Sequence, residues 1–440
     1  MCEKHVLFII QIVMNWYALI MISISALVSL LAVNWIYFKI LKIAKEKNLV
    51  DNPDARKLQK NPVPVVGGLA VFFGLIMGTL AGIAIFGFFG SDTVNGNDMI
   101  TVARMLPIML GMSIMLYVGC MDDILGLSPK ARFLIEILVI LGLIFSSGIS
   151  IDSLHNMWTI GEIPTWIAIP LTIFAGVGII NAINMVDGVN GLSSGLCITC
   201  CILFGIMFYG SEDYINSVLA FSMAASLLPF FVHNVFGNTS RMFIGDAGTM
   251  IMGILMTWFV MCAMHDGAHF DVKGFTVCPT ALVVAILSVP VADTLRVMTM
   301  RVIQGKSPFN PDKTHLHHAF VAIGVSHSIT ALSEILINLF VVGVWYITTL
   351  LGAPLQCQLY AVVLIAAILV WGTYFFLDHE NKSNSRKAEW LRNFSVKTHM
   401  GKTEWWQRFS YKLDSPEYNE HELKHLRKRL ERKFSNYKKD

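Results

Sequence analysis

The sequence predicts an all-α polytopic membrane protein of about eleven transmembrane helices, N-terminus outside and C-terminus cytoplasmic, with a small external hairpin. Three observations carry that expectation. Of the 440 residues, 55% are hydrophobic and only 14% are charged, against roughly 25% charged in a soluble domain. The apolar residues gather into eleven runs long enough to span a bilayer, centred near Ala32, Met77, Ile114, Ile140, Ile173, Leu203, Ser222, Leu255, Leu287, Ile337 and Ile365. The Lys and Arg are split unevenly: fourteen follow runs 1, 3, 5, 7 and 9, three lie in the N-terminus and the other loops, and sixteen follow Leu377. Because positive loops stay inside, the odd loops and the C-terminus are cytoplasmic.

Taken in order, residues 1–15 form an N-terminal extension. Val6 to Met14 is apolar like a signal-peptide core, but no small-residue cleavage site follows, so the chain is expected to remain uncleaved. Residues 16–377 form the core. After the first run comes a basic stretch containing DNPDARK, then PVPVVGG, where Arg56 and Lys57 are candidate phosphate contacts. The third run ends in Met121-Asp122-Asp123. Two carboxylates at a helix C-terminus repel each other and the dipole, so a cation is expected beside them: Mg²⁺ with substrate phosphates, or Lys130 and Arg132. GISIDSLHNMWTIGEIP alternates apolar and polar residues and reads as the external hairpin.

The stretch NAINMVDGVNG then places Asn181, Asn184, Asp187 and Asn190 three residues apart between two apolar runs. In a helix or tight turn that spacing brings the side chains toward one face, and an ionisable residue at membrane depth is a functional candidate. Further on stand His233 and Asn234, then GNTSRMFIGDAGT with Arg241, Phe243 and Asp246. Asp246 reads either as the N-cap of the next helix or as a phosphate or metal contact at its start. HDGAHFD is read as a plain external loop. Asp293 and Arg296 are spaced as an intramembrane pair. In RVIQGKSPFNPDKTHLHHAF, His315, His317 and His318 sit beside Lys306 and Lys313, suited to phosphate, metal or proton transfer. Residues 378–440 form a charged helical tail, whose KTEWWQRF is expected to lie among lipid headgroups. Its basic end is interspersed with acids, which argues against nucleic acid. Cys197, Cys200 and Cys201 read as packing inside an apolar run. The candidate residues all fall on the predicted cytoplasmic face; a proton-coupled transporter, the rival class, would have them at mid-span.

With these stretches in hand, residues 51–377 resemble the polyprenyl-phosphate N-acetylhexosamine-1-phosphate transferases. The matching blocks, in that family's order, are DNPDARK with PVPVVGGLA, MDDILGL, NAINMVDGVNGL, NVF with RMFIGDAGT, and SPFNPDKTHLHH. The resemblance implies a multi-pass enzyme of the inner (plasma) membrane that passes a sugar 1-phosphate from a UDP-sugar to undecaprenyl phosphate and releases UMP. It implies Mg²⁺, with Mn²⁺ as a substitute, and leaves room for a homodimer. It casts Asp122 and Asp123 as handlers of the lipid phosphate, Asp187 as catalytic and Asp246 as the metal ligand. Phe243 would lie near uracil, Asn181, Asn184 and Asn190 along the nucleotide-sugar pocket with Asn234 and Arg241, and the three His near phosphate or sugar. SPFNPDKTHLHH followed by GVSHS resembles the UDP-GlcNAc branch, which begins O-antigen and related envelope polymers. The UDP-MurNAc-pentapeptide branch usually has three contiguous His, and here Leu316 interrupts them. Asn190, Gln59 and Val65 depart from the family's usual Asp, His and Arg.

Overall fold

The computed structural model describes residues 2–51, 62–89, 103, 105–265, 271–272, 275–276, 278–308, 313–383, 385–397 and 403–417. Among these residues nine helices are long and apolar enough to cross a membrane, and a bent pair makes a tenth if it is one broken span. The chain is therefore a nearly all-helical, multi-pass membrane protein. The 19-residue helix over the run near Ile140 is not among the nine or ten; Lys130, Arg132 and Glu136 crowd its first turns.

Helix α1 (Cys2–Glu46) leads to two paired two-residue strands, β1 (Val50–Asp51) and β2 (Val63–Pro64), that flank residues 52–61. Arg56, Lys57 and Gln59 lie outside the described residues. Next come α2 (Gly67–Phe89), α3 (Met105–Leu125) and α4 (Pro129–Ser147). Helix α4 has both boundary signals a sequence can supply. Ser128 accepts from the Ala131 N–H, Pro129 opens the helix, and Gly148 closes it at φ +72°. The expected hairpin forms as β3 (Ser153–Met157) and β4 (Ile160–Glu162). Trp158 and Thr159 turn it with φ of +52° and +64°, the pattern of a type I′ hairpin turn.

Helices α5 (Thr165–Val186), α6 (Leu192–Gly210) and α7 (Tyr214–Phe236) precede α8 (Gly245–Ala263). Helix α8 is the axis of the molecule: 94% of its apolar window is buried, and α2, α3, α5 and α6 pack around it. Such enclosure explains why it is apolar on every side, since it has no solvent face to keep polar. Two-residue strands β5 (Asp271–Val272) and β6 (Phe275–Thr276) then precede α9 (Pro279–Ile286) and α10 (Ser288–Ile303).

The α9–α10 pair bends by 73°. Pro290 has no N–H for the Ile286 carbonyl four residues back, so the ladder breaks there. Asn338 repairs the break: its Nδ2 donates to Ile286 O (3.1 Å), and its Oδ1 accepts from the Val289 N–H (3.3 Å) and the Ser288 hydroxyl (3.1 Å). Beyond lie α11 (Leu316–Ala322), α12 (His327–Leu350) and the peripheral α13 (Leu355–Ser383), 17% buried in its window. The tail adds α14 (Arg386–Lys397) and α15 (Glu404–Asp414).

Candidate active site

Four segments meet at the N-terminal end of α8. The stretch before α2 lies along the stretch before α8 as a short ribbon. Phe243 N–H donates to Pro64 O (2.8 Å), Gly67 N–H to Phe243 O (2.9 Å) and Gly68 N–H to Ile244 O (2.9 Å). Val65 pairs with Phe243 in that ribbon.

The third segment is the end of α3. Asp123 accepts the amide N–H of Asp246 (2.9 Å) and that of Ala247 (3.2 Å), one on each carboxylate oxygen. The first amides of a helix lack intrahelical partners and carry partial positive charge, so a carboxylate is their natural cap. Two glycines make the approach feasible. Gly245 enters α8 at φ +71°, and a Cβ there would strike Asp123. Gly119, one turn before Asp123, lies against the Ala247 backbone with no room for a side chain. The capping reading of Asp246 is thereby corrected: Asp123 caps α8, and Asp246, in the first turn, makes no side-chain cap.

Asp246 instead joins a set of polar groups along the cavity. Asn184 Nδ2 donates to Asp246 Oδ1 (2.5 Å) and to Thr249 Oγ1 (2.7 Å), and Arg132 Nη1 stands 3.6 Å from the same Asp246 oxygen. Arg132 is the cation that the Asp122-Asp123 pair required. Its Nη1 donates to Asp122 Oδ2 (3.3 Å) and its Nε to Glu136 Oε1 (3.2 Å). Leu127 N–H donates to Asp122 Oδ1 (2.7 Å). Asn181 stands behind this wall, donating to Glu136 Oε2 (2.7 Å).

The α5–α6 junction is the fourth segment. Asp187 ends α5 and accepts the Ser193 hydroxyl (2.5 Å). Its carboxyl is open to the cavity but walled by protein. The partial loss of water pushes its pKa up to about 6; the Ser193 bond opposes the rise and the Asp246 charge adds to it. Asn234 braces this turn to the next loop: Oδ1 accepts from Gly191 N–H (2.7 Å) and Nδ2 donates to Met242 O (2.8 Å).

These segments enclose a cavity of about 1130 Å³. Of the candidate residues, Asp122, Asp123, Asn184, Asp187, Asn190, Asn234, Arg241, Phe243, Asp246 and His318 line it. Burial lowers the Arg241 pKa from the usual arginine value, opposed by Asp414 and Tyr37, and its Nε is buried without a hydrogen-bond partner among the described residues.

Three candidates stand outside the lining. Asn181 is bound to Glu136, as described. His315 Nδ1 lies 2.9 Å from Asp293 Oδ2, beside the expected Asp293–Arg296 pair (2.7 Å). His317 is 1% exposed and packs on Gly188. Its pKa is down to about 3, through burial and then the neighbouring imidazoles, so it is neutral at pH 7.

Sequence reasoning missed Glu136, Ser193 and His327. Glu136 lies one helical turn after Arg132, a spacing that could have flagged the pair. His327 lines the cavity from the first turn of α12.

A profile of glycosyl transferase family 4 matches residues 105–264, the span from α3 through α8. A probable undecaprenyl-phosphate N-acetylglucosaminyl 1-phosphate transferase of Bacillus subtilis is 30% identical over 325 residues, 73% of this chain and 83% of the relative. An undecaprenyl-phosphate alpha-N-acetylglucosaminyl 1-phosphate transferase of Yersinia pestis is 30% identical over 288 residues (64% and 72%). The protein of that name from Escherichia coli K12 is 28% identical over 293 residues (64% and 72%). The chain thus belongs to glycosyl transferase family 4, the polyprenyl-phosphate N-acetylhexosamine-1-phosphate transferases that its motifs resemble.

Proposed function

We propose that the protein transfers GlcNAc-1-phosphate from UDP-GlcNAc to undecaprenyl phosphate, releasing UMP. One observation carries this reading. Four carboxylates, Asp122, Asp123, Asp187 and Asp246, line a single cavity with Arg241, and relatives about 30% identical are named as undecaprenyl-phosphate N-acetylglucosaminyl 1-phosphate transferases. Counting α4 as a further span beside the nine apolar helices and the bent pair would give eleven, and the positive-charge asymmetry of the loops supports a cavity on the cytoplasmic side. A cysteine placed at Ser307 is then labelled from the inside only.

A lipid phosphate oxygen attacks the β-phosphorus of the donor, and the bond from that phosphorus to the bridging oxygen breaks, so UMP leaves with that oxygen. The acceptor, a phosphate monoester with a second pKa near 6, needs little help from a base at neutral pH. Arg241 meets the donor's diphosphate, and Phe243 borders the base. Asn184 fixes the Asp246 carboxylate, and Asp123, with both oxygens on amides, holds the start of α8 in place.

Mg²⁺ fits the donor set. Among the described residues no three His, Cys, Asp or Glu side chains form a cage, and Mg²⁺ commonly binds through one or two carboxylates plus substrate phosphates. Asp246 Oδ2 accepts no protein hydrogen bond among the described residues, and we assign it to the metal. Bound there, the ion would neutralise charge on the departing UMP. The deciding experiment gives purified protein undecaprenyl phosphate, Mg²⁺ and a panel of UDP-sugars and follows UMP. UDP-GlcNAc should be preferred; turnover of UDP-MurNAc-pentapeptide instead would overturn the sugar assignment, and no UMP from any donor would overturn the reaction.

A further inference from the structure

Two helices of the charged tail reach loops that build the cavity. From α14, Arg392 Nε donates to Ile323 O (3.2 Å), and Ser395 Oγ accepts from Ser326 N–H (2.9 Å), just before cavity-lining His327. The contact made by α15 is more extensive. Its last residue, Asp414, is 6% exposed. The carboxylate accepts the Asn238 N–H (3.2 Å to each oxygen), the Ser240 N–H (3.0 Å) and the Ser240 hydroxyl (2.6 Å). Ser410 Oγ accepts from Asn238 Nδ2 (2.6 Å). The rings of Trp406 and Phe409 sit 4.4 and 5.2 Å from that of Phe236 at the end of α7. The apolar face expected to meet lipid headgroups therefore meets protein, although Trp405 is 63% exposed.

A buried carboxylate is tolerated only where donors replace its water, and here every donor comes from the turn at residues 238–240. From its other side the same turn is held by α1 and α7. Tyr37 Oη donates to Ser240 O (2.8 Å), Lys45 Nζ to Thr239 O (2.8 Å), and His233 Nδ1 lies 3.1 Å from Ser240 Oγ. The next residue is Arg241, on the cavity wall. Left to itself, a turn of Gly, Asn, Thr and Ser has little apolar surface with which to fix its own conformation.

We infer that Asp414 is a positioning residue for the nucleotide donor: by clamping the Asn238–Ser240 turn it holds Arg241 at the cavity wall, so α15 completes a site it does not touch. The inference rests on the function proposed above for its choice of ligand. It departs from the sequence expectation that KTEWWQRF lies among lipid headgroups.

The test compares the full-length protein with Asp414→Ala, Asp414→Asn and Trp406→Ala by two readouts, calorimetric binding of UDP and steady-state turnover. Asp414→Ala should weaken UDP about tenfold and raise the KM for UDP-GlcNAc by a similar factor, leaving the KM for undecaprenyl phosphate unchanged. Asp414→Asn should recover most of the loss, because its amide oxygen still accepts from Ser240. Trp406→Ala loosens the same docking from its apolar side and should move both donor constants in the same direction by a smaller factor. If Asp414→Ala does not accumulate, Trp406→Ala decides by the same comparison. Wild-type UDP affinity in the variants, or equal loss toward both substrates, overturns the positioning role. A wild type that binds UDP but releases no UMP indicts the proposed reaction, and the UDP arm still decides the role of Asp414.

Discussion

Among the described residues two carboxylate–arginine clusters are built on the same device, and their difference separates binding from scaffolding. In each, a carboxylate from one helix caps the start of another. Asp123 takes the amides of Asp246 and Ala247 at α8, and Asp293 takes the Leu316 amide at α11 (3.1 and 3.2 Å). Each also has one arginine, Arg132 in the first and Arg296 in the second. The second cluster is closed. Asp293 and Arg296 are 1% and 0% exposed, Arg296 stacks 3.5 Å from the Tyr374 ring and donates to Thr314 O (2.5 Å), and His315 completes the set. The first faces the cavity: the Asp246 side chain is 34% exposed and one of its oxygens is uncommitted. A charge network open on one side can accept a ligand, whereas a closed one can only hold its helices.

The largest effect expected from this contrast is on folding. Asp293→Ala strips a buried arginine of its counter-charge, which costs about 3 to 5 kcal/mol, and removes the cap of α11, a further 0.5 to 2 kcal/mol or so. Thermal unfolding in detergent should show a large loss, with little folded protein recovered from membranes. A variant that melts like the wild type would dissolve the distinction between the clusters.

Next in size is an effect on turnover alone. Asp246→Asn keeps an oxygen for Asn184 and disturbs no cap, so stability should stay within about 0.5 kcal/mol. Turnover should fall by roughly 10² to 10³-fold, the scale of losing one electrostatic stabiliser of the transition state, and the Mg²⁺ requirement should weaken. Asp123→Ala should behave in the opposite sense, losing about 0.5 to 2 kcal/mol of stability as a cap is removed. If Asp246→Asn retains most activity, the metal belongs elsewhere on the wall.

The contrast also marks what the sequence could disclose. Apolar runs and the Asn-x-x-Asn-x-x-Asp spacing are local, and both were legible: the helices formed where the runs are, and Asn184 and Asp187 share the cavity. Capping of α8 was not legible, because Asp123 lies 123 positions from its amide partner and Asp246 satisfies every local rule for the role. The three His read as one cluster, yet the start of α11 sends His315 to Asp293, buries His317 and leaves His318 on the wall, a sorting set by helix phase rather than spacing. The tail misled for a related reason. A stripe of Trp and Phe looks the same whether it covers lipid or Phe236, and only Asp414, buried among the 238–240 amides, distinguishes the two. Helix α4 was legible as an apolar run, but it was not legible that Arg132 and Glu136 in its first turns belong to the site together.

The smallest expected effect is a displacement along the pH axis, and it tests whether the open cluster can be tuned. The Asp187 carboxyl is raised to about 6 from an unfolded value near 3.9. The folded state therefore holds a proton that the unfolded chain has released, and this group's contribution to stability falls as pH climbs from about 4 to 6 and is flat above. If turnover needs the ionised form, activity rises through the same region, giving an acidic limb near pH 6. The acceptor phosphate titrates near 6 as well, so the limb alone assigns nothing. Ser193→Ala separates them. The serine hydroxyl donates to the Asp187 carboxylate and opposes the upward shift, so its removal should carry the limb upward by about one pH unit, with kcat at pH 8.5 nearly unchanged. A limb owned by the lipid phosphate would stay where it is, and Asp187 would then be a positioning group whose charge state turnover does not sense.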